Sequence, residues 1–210
     1  MDIIEYEKIK DLTYLDYCKY LQNKYGKPIT NYLTANWNRV TKISRTSEGL
    51  YCHHIYEDTA IMLSDKEHAQ KHPFEWQQPE NLCYCDLLEH LLLHILICEF
   101  KRPKTKEDLM LMVSKLEIPG IGGILNFIVP ELNDVYSGWE SKALWQQNCH
   151  SLIKKDKAVY FKLIKRLKQL KNYPCYKEEQ IYTSAMGKID PKTWNNTKNI
   201  KLYEELKKIK

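Results

Sequence analysis

No stretch of this 210-residue chain stays apolar for long enough to cross a bilayer. The longest such run, around residues 91–98, falls well short of the ~20 residues that a spanning helix needs. There is no CxxC pair. The seven cysteines are odd in number, with Cys83 and Cys85 only two apart. This argues against a disulfide framework and a zinc ribbon, and for free thiols in a reducing cytosol. The amino-terminal stretch MDIIEYEKIK is charged and has no secretory pattern, so a cytoplasmic protein with no membrane partner is expected. Glycines are few. Their one cluster, GIGG at 120–123, has no GK[ST] after it and no strand before it, and reads as a turn ahead of a helix, not a phosphate loop. Internal repeats and low-complexity tracts are absent. The net charge is only +5, which permits an acidic partner such as nucleic acid and does not establish one.

What remains is an ordinary globular composition, 43% hydrophobic and 28% charged, at a length that suits one or two domains with a sizeable core. Tyr14, Cys18, Leu21 and Tyr25 recur at helical spacing, and Gly26 with Pro28 ends that helix. Residues 29–49 read as polar and irregular, with a turn at Glu48-Gly49. LYCHHI at 50–55 and NLCY at 81–84 read as two short strands, separated by a long connection with a short helix around 64–71. Asp86 and Glu89 form a capping-box pattern for a helix that runs to about Phe100 and stops at Arg102-Pro103. The remainder reads as helical: 105–116, with Leu109, Met112 and Leu116 on one face, then 123–135, 139–150, 153–171 and 199–209. The expected fold is α+β and predominantly helical. Residues 1–104 form one unit around the segment 50–100, and 105–210 form a helical region packed on it.

His90 and His94 stand four apart on the capped helix, so both imidazoles leave one face and can grip one divalent ion. The rest of that helix is leucine and isoleucine nearly all round, which marks it as buried. Unpartnered imidazoles inside it would be costly, so the two are either ligands or hydrogen-bonded to backbone carbonyls. His53 and His54 lie on the first strand, where neighbours point to opposite faces. If His53 faces the helix it supplies a third ligand. His54 is then left as a general base with a near-neutral pKa. Three protein ligands and an open position are the arrangement of a catalytic metal. A histidine pair alone is usually incidental; the combination carries the weight.

Three pieces of sequence stand in a set order: His53-His54-Ile55, then Asn81-Leu82, then His90-Leu91-Leu92-Leu93-His94, with nine positions from Asn81 to His90. Together they resemble the HNH endonuclease motif, the ββα-metal fold. The match covers about a fifth of the chain, and the stretch 44–135 is similar to uncharacterised bacterial and phage HNH proteins. The resemblance implies a small ββα-metal core in which His53, His90 and His94 hold one divalent ion. It implies that His54 activates water and that Asn81 holds the base-bearing loop. It further implies phosphodiester hydrolysis, with the ion on a phosphate oxygen and the leaving 3′ oxygen. DNA is expected over RNA as the substrate. Zinc, manganese, nickel and magnesium all stand as candidate ions, although magnesium prefers oxygen ligands. A homodimer would suit cutting both strands. The chain departs from the family in its long Ile55–Asn81 connection and in the missing paired cysteines. It also lacks the proline often found after the base histidine, where Glu57 stands.

Other readings stay open. The same core could cut RNA or serve as a toxin or defence effector. Alternatively, the histidines could belong to a non-catalytic, zinc-stabilised nucleic-acid-binding module with Cys52 or Cys83 as fourth ligand. Arg39, Lys42 and Arg45, just ahead of the motif strand, are candidate phosphate contacts. The lysine-rich face of 153–171 is either a surface that follows a phosphate backbone or a solvated helix face. His68 and His72, also four apart, lie in a polar segment without a third ligand and read as a solvated face. Trp37, Trp76, Trp139, Trp145 and Trp194 show no spacing that indicates base stacking.

Overall fold

Two capped helices open the chain. Asp2 accepts from the Glu5 amide at 2.9 Å to start α1 (Ile3–Ile9). Thr13 accepts from the Asp16 amide at 3.2 Å to start α2 (Tyr14–Tyr25). Each cap satisfies an amide that the first turn leaves open. α1 is not among the helices expected from the sequence, although Asp2 followed by Glu5 three residues on is a capping pattern for it. Gly26, at φ +79°, ends α2 in a conformation that side-chain-bearing residues rarely adopt. The computed structural model describes residues 1–114, 118–184, 187–188 and 197–210; Leu116, Pro191 and Trp194 lie outside the described residues.

Residues 29–49 are irregular as expected, apart from short 3₁₀ turns at Thr41–Ile43 and Thr46–Glu48. They lead into β1 (Tyr51–His54), which pairs antiparallel with β2 (Leu82–Cys85), with His53 opposite Cys83 and His54 opposite Leu82. Gln22 of α2 donates to the carbonyls of Glu80 and Leu82 at 3.0 and 2.9 Å and so ties β2 to α2. Between the strands the chain makes 3₁₀ turns at Ile55–Asp58, Phe74–Gln77 and Pro79–Asn81, with the one-turn helix α3 (Lys66–Ala69) among them.

The central element is α4 (Leu87–Phe100). Its capping box is complete: Asp86 accepts from the Glu89 amide at 2.8 Å, and Glu89 accepts from the Asp86 amide at 2.7 Å. Of its residues only His90, Glu99 and Phe100 are not buried. Each buried leucine contributes roughly 1.5–3 kcal/mol relative to exposure, which outweighs the cost of carrying two histidines inside.

The second half contributes α5 (Lys106–Ser114) and then α6 (Ile121–Gly123), which runs through a π-helical turn (Ile124–Ile128) into α7 (Val129–Tyr136). After these come α8 (Leu144–Ile153), α9 (Lys157–Lys168), a ribbon of β3 (Thr183–Ser184) with β4 (Gly187–Lys188), and α10 (Thr197–Lys208). Two expected helices are corrected. The helix placed at 139–150 begins only at Leu144. Gly138 at φ +79° stops α7, and the Ser141 hydroxyl accepts from the Ala143 amide at 3.1 Å in a turn. The helix placed at 153–171 is shorter at both ends: Ile153 is the last residue of α8, and α9 runs only from Lys157 to Lys168. One hydrophobic core joins Tyr6 and Leu21, the leucines of α4, Leu163, Leu167 and Leu206, so both halves share it. The fold is mostly helical with a small two-strand antiparallel sheet, an α+β arrangement. Among the described residues no helix is long and apolar enough to cross a membrane.

Candidate metal centre

The face of β1 that carries His53 lies against α4. The His53 ring centroid is 5.3 Å from those of both His90 and His94, which are 4.8 Å from each other. Just past β1, the 3₁₀ turn Ile55–Asp58 folds Glu57 back beneath the strand. One ligand atom from each of His53, Glu57, His90 and His94 lies within 4.8 Å of every other. His90 Nε2 and His94 Nε2 are 3.2 Å apart; Glu57 Oε2 is 3.2 Å from His94 Nε2 and 3.5 Å from His53 Nδ1. A tetrahedral ion with bonds of ~2.0–2.1 Å has ligand atoms about 3.3 Å apart, close to the 3.2, 3.2 and 3.5 Å separations, so these four groups could hold a single ion.

The surroundings decide which nitrogen carries each proton. Tyr14 donates its hydroxyl proton to the Ile55 carbonyl at 2.7 Å, so at 2.9 Å it accepts from His53 Nε2. His53 Nδ1 is left with a lone pair, buried and without a hydrogen-bond partner. His94 Nδ1 donates to the Gly120 carbonyl at 3.1 Å, which leaves the lone pair on Nε2. His53 Nδ1, His94 Nε2 and the Glu57 carboxylate thus turn lone pairs toward one point, and His90 Nε2, 3.2 Å from His94 Nε2, either donates a proton to it or, with the proton on Nδ1, adds a fourth lone pair. Buried acceptors that converge repel unless a proton or a cation lies among them, and either the His90 Nε2 proton or a metal ion could take that place.

Protonation also suits a metal ion. Burial pushes the His53 imidazole well below the ordinary histidine range, against the pull of Glu57. Burial and the neighbouring His94 push His90 down to about 3. Burial works to raise Glu57, but His53, His54 and His94 outweigh it and hold the carboxyl well below the usual range. A metal needs an ionised carboxylate and unprotonated imidazole nitrogens. A donor set rich in imidazole suits zinc or nickel better than magnesium.

The GIGG segment does more than turn the chain. A side-chain carbon on Gly123 would stand 2.7 Å from His94 Cε1, and one on Gly120 would stand 2.9 Å from the His94 carbonyl and 2.7 Å from Cys98 Sγ. The two glycines are the bed on which His94 lies, and Gly120 also supplies the carbonyl that orients it.

His54 points away from His53, as strand alternation requires. It is fully buried, with Tyr32 packed on its ring at 4.5 Å. Gln77 donates its amide to the Leu63 carbonyl at 3.1 Å, so its oxygen faces His54 Nε2, also at 3.1 Å, and Nε2 carries the proton. His54 Nδ1 keeps its lone pair, without a hydrogen-bond partner, 3.5 Å from Glu57 Oε1. Alternation does not fully separate the two histidines, because Glu57 touches both: Oε2 faces His53 and Oε1 faces His54. The long 56–80 connection covers His54 through Gln77 and Leu63. Asn81 donates to the Glu75 carbonyl at 2.7 Å and closes the loop that carries Gln77.

No family model, curated protein or solved structure matches this chain.

Glu57, and not Cys52 or Cys83, is the fourth group at the cluster. Its sequence signal is the same four-residue step from His53 that separates His90 from His94. Arg45 is committed to Glu48 and to the Tyr25 carbonyl, with its guanidinium 4.8 Å over the Tyr84 ring. Arg39 lies exposed over the Tyr32 ring at 5.8 Å, and Lys42 is exposed on a 3₁₀ turn. His68 hydrogen-bonds Asp65 at 2.7 Å and His72 stacks on Trp76 at 4.9 Å, and among the described residues neither belongs to a cluster that could hold a metal. Much of the basic face of α9 is paired. Lys162 meets Glu7 at 2.7 Å, Lys157 meets Glu205, and Arg166 holds Glu99 through two contacts of 2.6 Å.

Proposed function

We propose that this chain is a metal-dependent nuclease of the HNH type, which hydrolyses phosphodiester bonds in nucleic acid, DNA in preference. One divalent ion would be held by His53, His90 and His94, with Glu57 closing the set. The observation that carries this reading is the convergence of those groups across β1 and α4, with Tyr14 and Gly120 turning lone pairs inward. When bound, the ion supplies Lewis-acid stabilisation of a phosphate oxygen and the leaving 3′ oxygen. His54 accepts the proton of the attacking water on Nδ1. Gln77 keeps it in the tautomer that can accept, and Asn81 keeps the loop of Gln77 closed. Glu57 stands between His54 and the ligand atoms, with its side chain 18% exposed. Swinging this carboxylate outward opens a position for water and a path to His54.

Glu57 also favours a second reading. Four protein ligands make a closed shell, the usual form of a structural zinc, and the chain would then be a zinc-stabilised nucleic-acid-binding module. Incubation with plasmid, single-stranded DNA and RNA, under each divalent metal and under chelator, separates the two. The nuclease reading expects chelator to silence a protein that stays folded. It expects His54→Ala to lose roughly 10²–10⁴-fold in cleavage rate while keeping its metal. A His54→Ala protein that cuts as fast as wild type refutes the mechanism. A protein that unfolds on chelation and never cuts is the zinc module.

A further inference from the structure

A cavity of about 500 Å³ lies beside the start of β1, and its walls include Tyr32, Arg39, Leu50, Tyr51, Cys52 and Trp145. Leu50, Tyr51 and Cys52 are consecutive. Leu50 stands just ahead of the strand and bridges back to Arg45, and Tyr51 and Cys52 face opposite sides of it, so the cavity wraps around the start of β1. The cavity adjoins the candidate metal centre through Tyr51, whose ring stacks on His90 at 6.0 Å with planes 26° apart; Cys52 faces the other side of the strand, with His54. Tyr51 is fixed in this role by donating its hydroxyl to Glu131 at 2.7 Å.

The walls carry a particular chemistry. Trp145, on α8, is 47% exposed, and among the described residues no aromatic ring packs on it. The Arg39 guanidinium lies over the Tyr32 ring, and among the described residues no carboxylate pairs with it. An indole face and an uncommitted cation around a cavity of this size are equipment for stacking one base and holding one phosphate. Bases inside a duplex are stacked on each other and cannot present a face to Trp145. We propose that this cavity is a subsite for one unpaired nucleotide of a single-stranded nucleic acid, next to the bond to be cut. The inference rests on the nuclease reading for what happens beside the subsite, and it names the substrate class as unpaired strands.

The test is equilibrium binding, by fluorescence anisotropy, of the full chain as purified to labelled, hydrolysis-resistant phosphorothioate strands. The probes are oligothymidylate, oligouridylate and a duplex of the same length. The subsite predicts single strands bound at least about tenfold more tightly than duplex, and the two single strands show whether deoxyribose or ribose is preferred. Trp145→Ala should weaken single-strand binding roughly five- to hundredfold, and Trp145→Phe should restore most of it. Arg39→Ala should weaken binding and lower the slope of log affinity against log salt by about 0.7. Duplex bound as tightly as single strand overturns the proposal, as does wild-type affinity in Trp145→Ala. Binding that depends on Trp145 in a chain that cuts nothing under any metal removes the nuclease and leaves the subsite. Cleavage that ignores both Trp145 and Arg39 removes the subsite and leaves the nuclease.

Discussion

At the scale of single residues, the groups behind the ligands decide whether four side chains form a site. Gly123 has an ordinary helical backbone, φ −60°, so alanine there brings no conformational strain; its added carbon would meet the His94 ring. Gly123→Ala should lower divalent-metal affinity about 10–100-fold, the usual cost of disturbing a group that orients a ligand, in a protein that still folds. Isothermal titration with zinc measures it, and unchanged affinity would contradict the role given to the GIGG bed. Tyr14→Phe keeps the ring and removes the hydroxyl that fixes His53. It should cost roughly tenfold in the same titration, with little change in melting temperature. That His53, His90 and His94 come together was legible in the sequence, because helix and strand periodicities fix which side chains share a face. Glu57 was not, because a 3₁₀ turn after the strand breaks both periodicities. Tyr14 and Gly120 were hidden for another reason: an aromatic on a helix stripe looks like core, and a glycine turn looks like a connection.

At the scale of elements, one carboxylate joins three of them. Glu131 of α7 accepts from Tyr51 of β1 at 2.7 Å and from Gln146 of α8 at 3.1 Å, and pairs with His150 of α8 at 2.9 Å. Burial works to raise its pKa, but the hydrogen bonds from His150, Tyr51 and Gln146 outweigh that and hold it below the ordinary 4.5. Because the folded pKa is depressed, this junction contributes its full stability above the unfolded value. The contribution drains away as pH falls through 4.5 toward the lower folded value. Glu131→Gln should cost roughly 1–3 kcal/mol at neutral pH and flatten the acid side of the stability profile. Urea denaturation across the acid range measures it; an equally steep acid limb in the variant would show that other groups carry it. The elements that sequence foretold best, α2, β1, β2 and α4, are those with caps, glycine stops or a strong apolar run. The helices of the second half were foretold in number better than in extent. Apolar spacing continues from Ile153 into α9, and only the break after Ile153 divides it.

At the scale of the whole molecule, one core encloses α4, so the candidate site is built on the most buried element of the fold. That explains how the chain does without paired cysteines: leucine packing braces the helix that presents His90 and His94. It also explains the modest role of the surface charges. The lysines of α9 tie helices together through ion pairs at the surface, which contribute little each. If the site binds an ion, removing the ion leaves a packed core intact, and chelation should lower the melting temperature without abolishing the cooperative transition. The claim on which everything else depends is that one divalent ion sits among His53, Glu57, His90 and His94. The most direct measurement is the metal content per chain by inductively coupled plasma mass spectrometry, after loading with zinc, nickel or manganese and removal of excess. The account predicts one ion per chain for the wild type and for His54→Ala, and none retained by a His53→Ala, His94→Ala double variant that still folds. A wild-type chain that retains no ion, or a double variant that keeps a full complement, would contradict it.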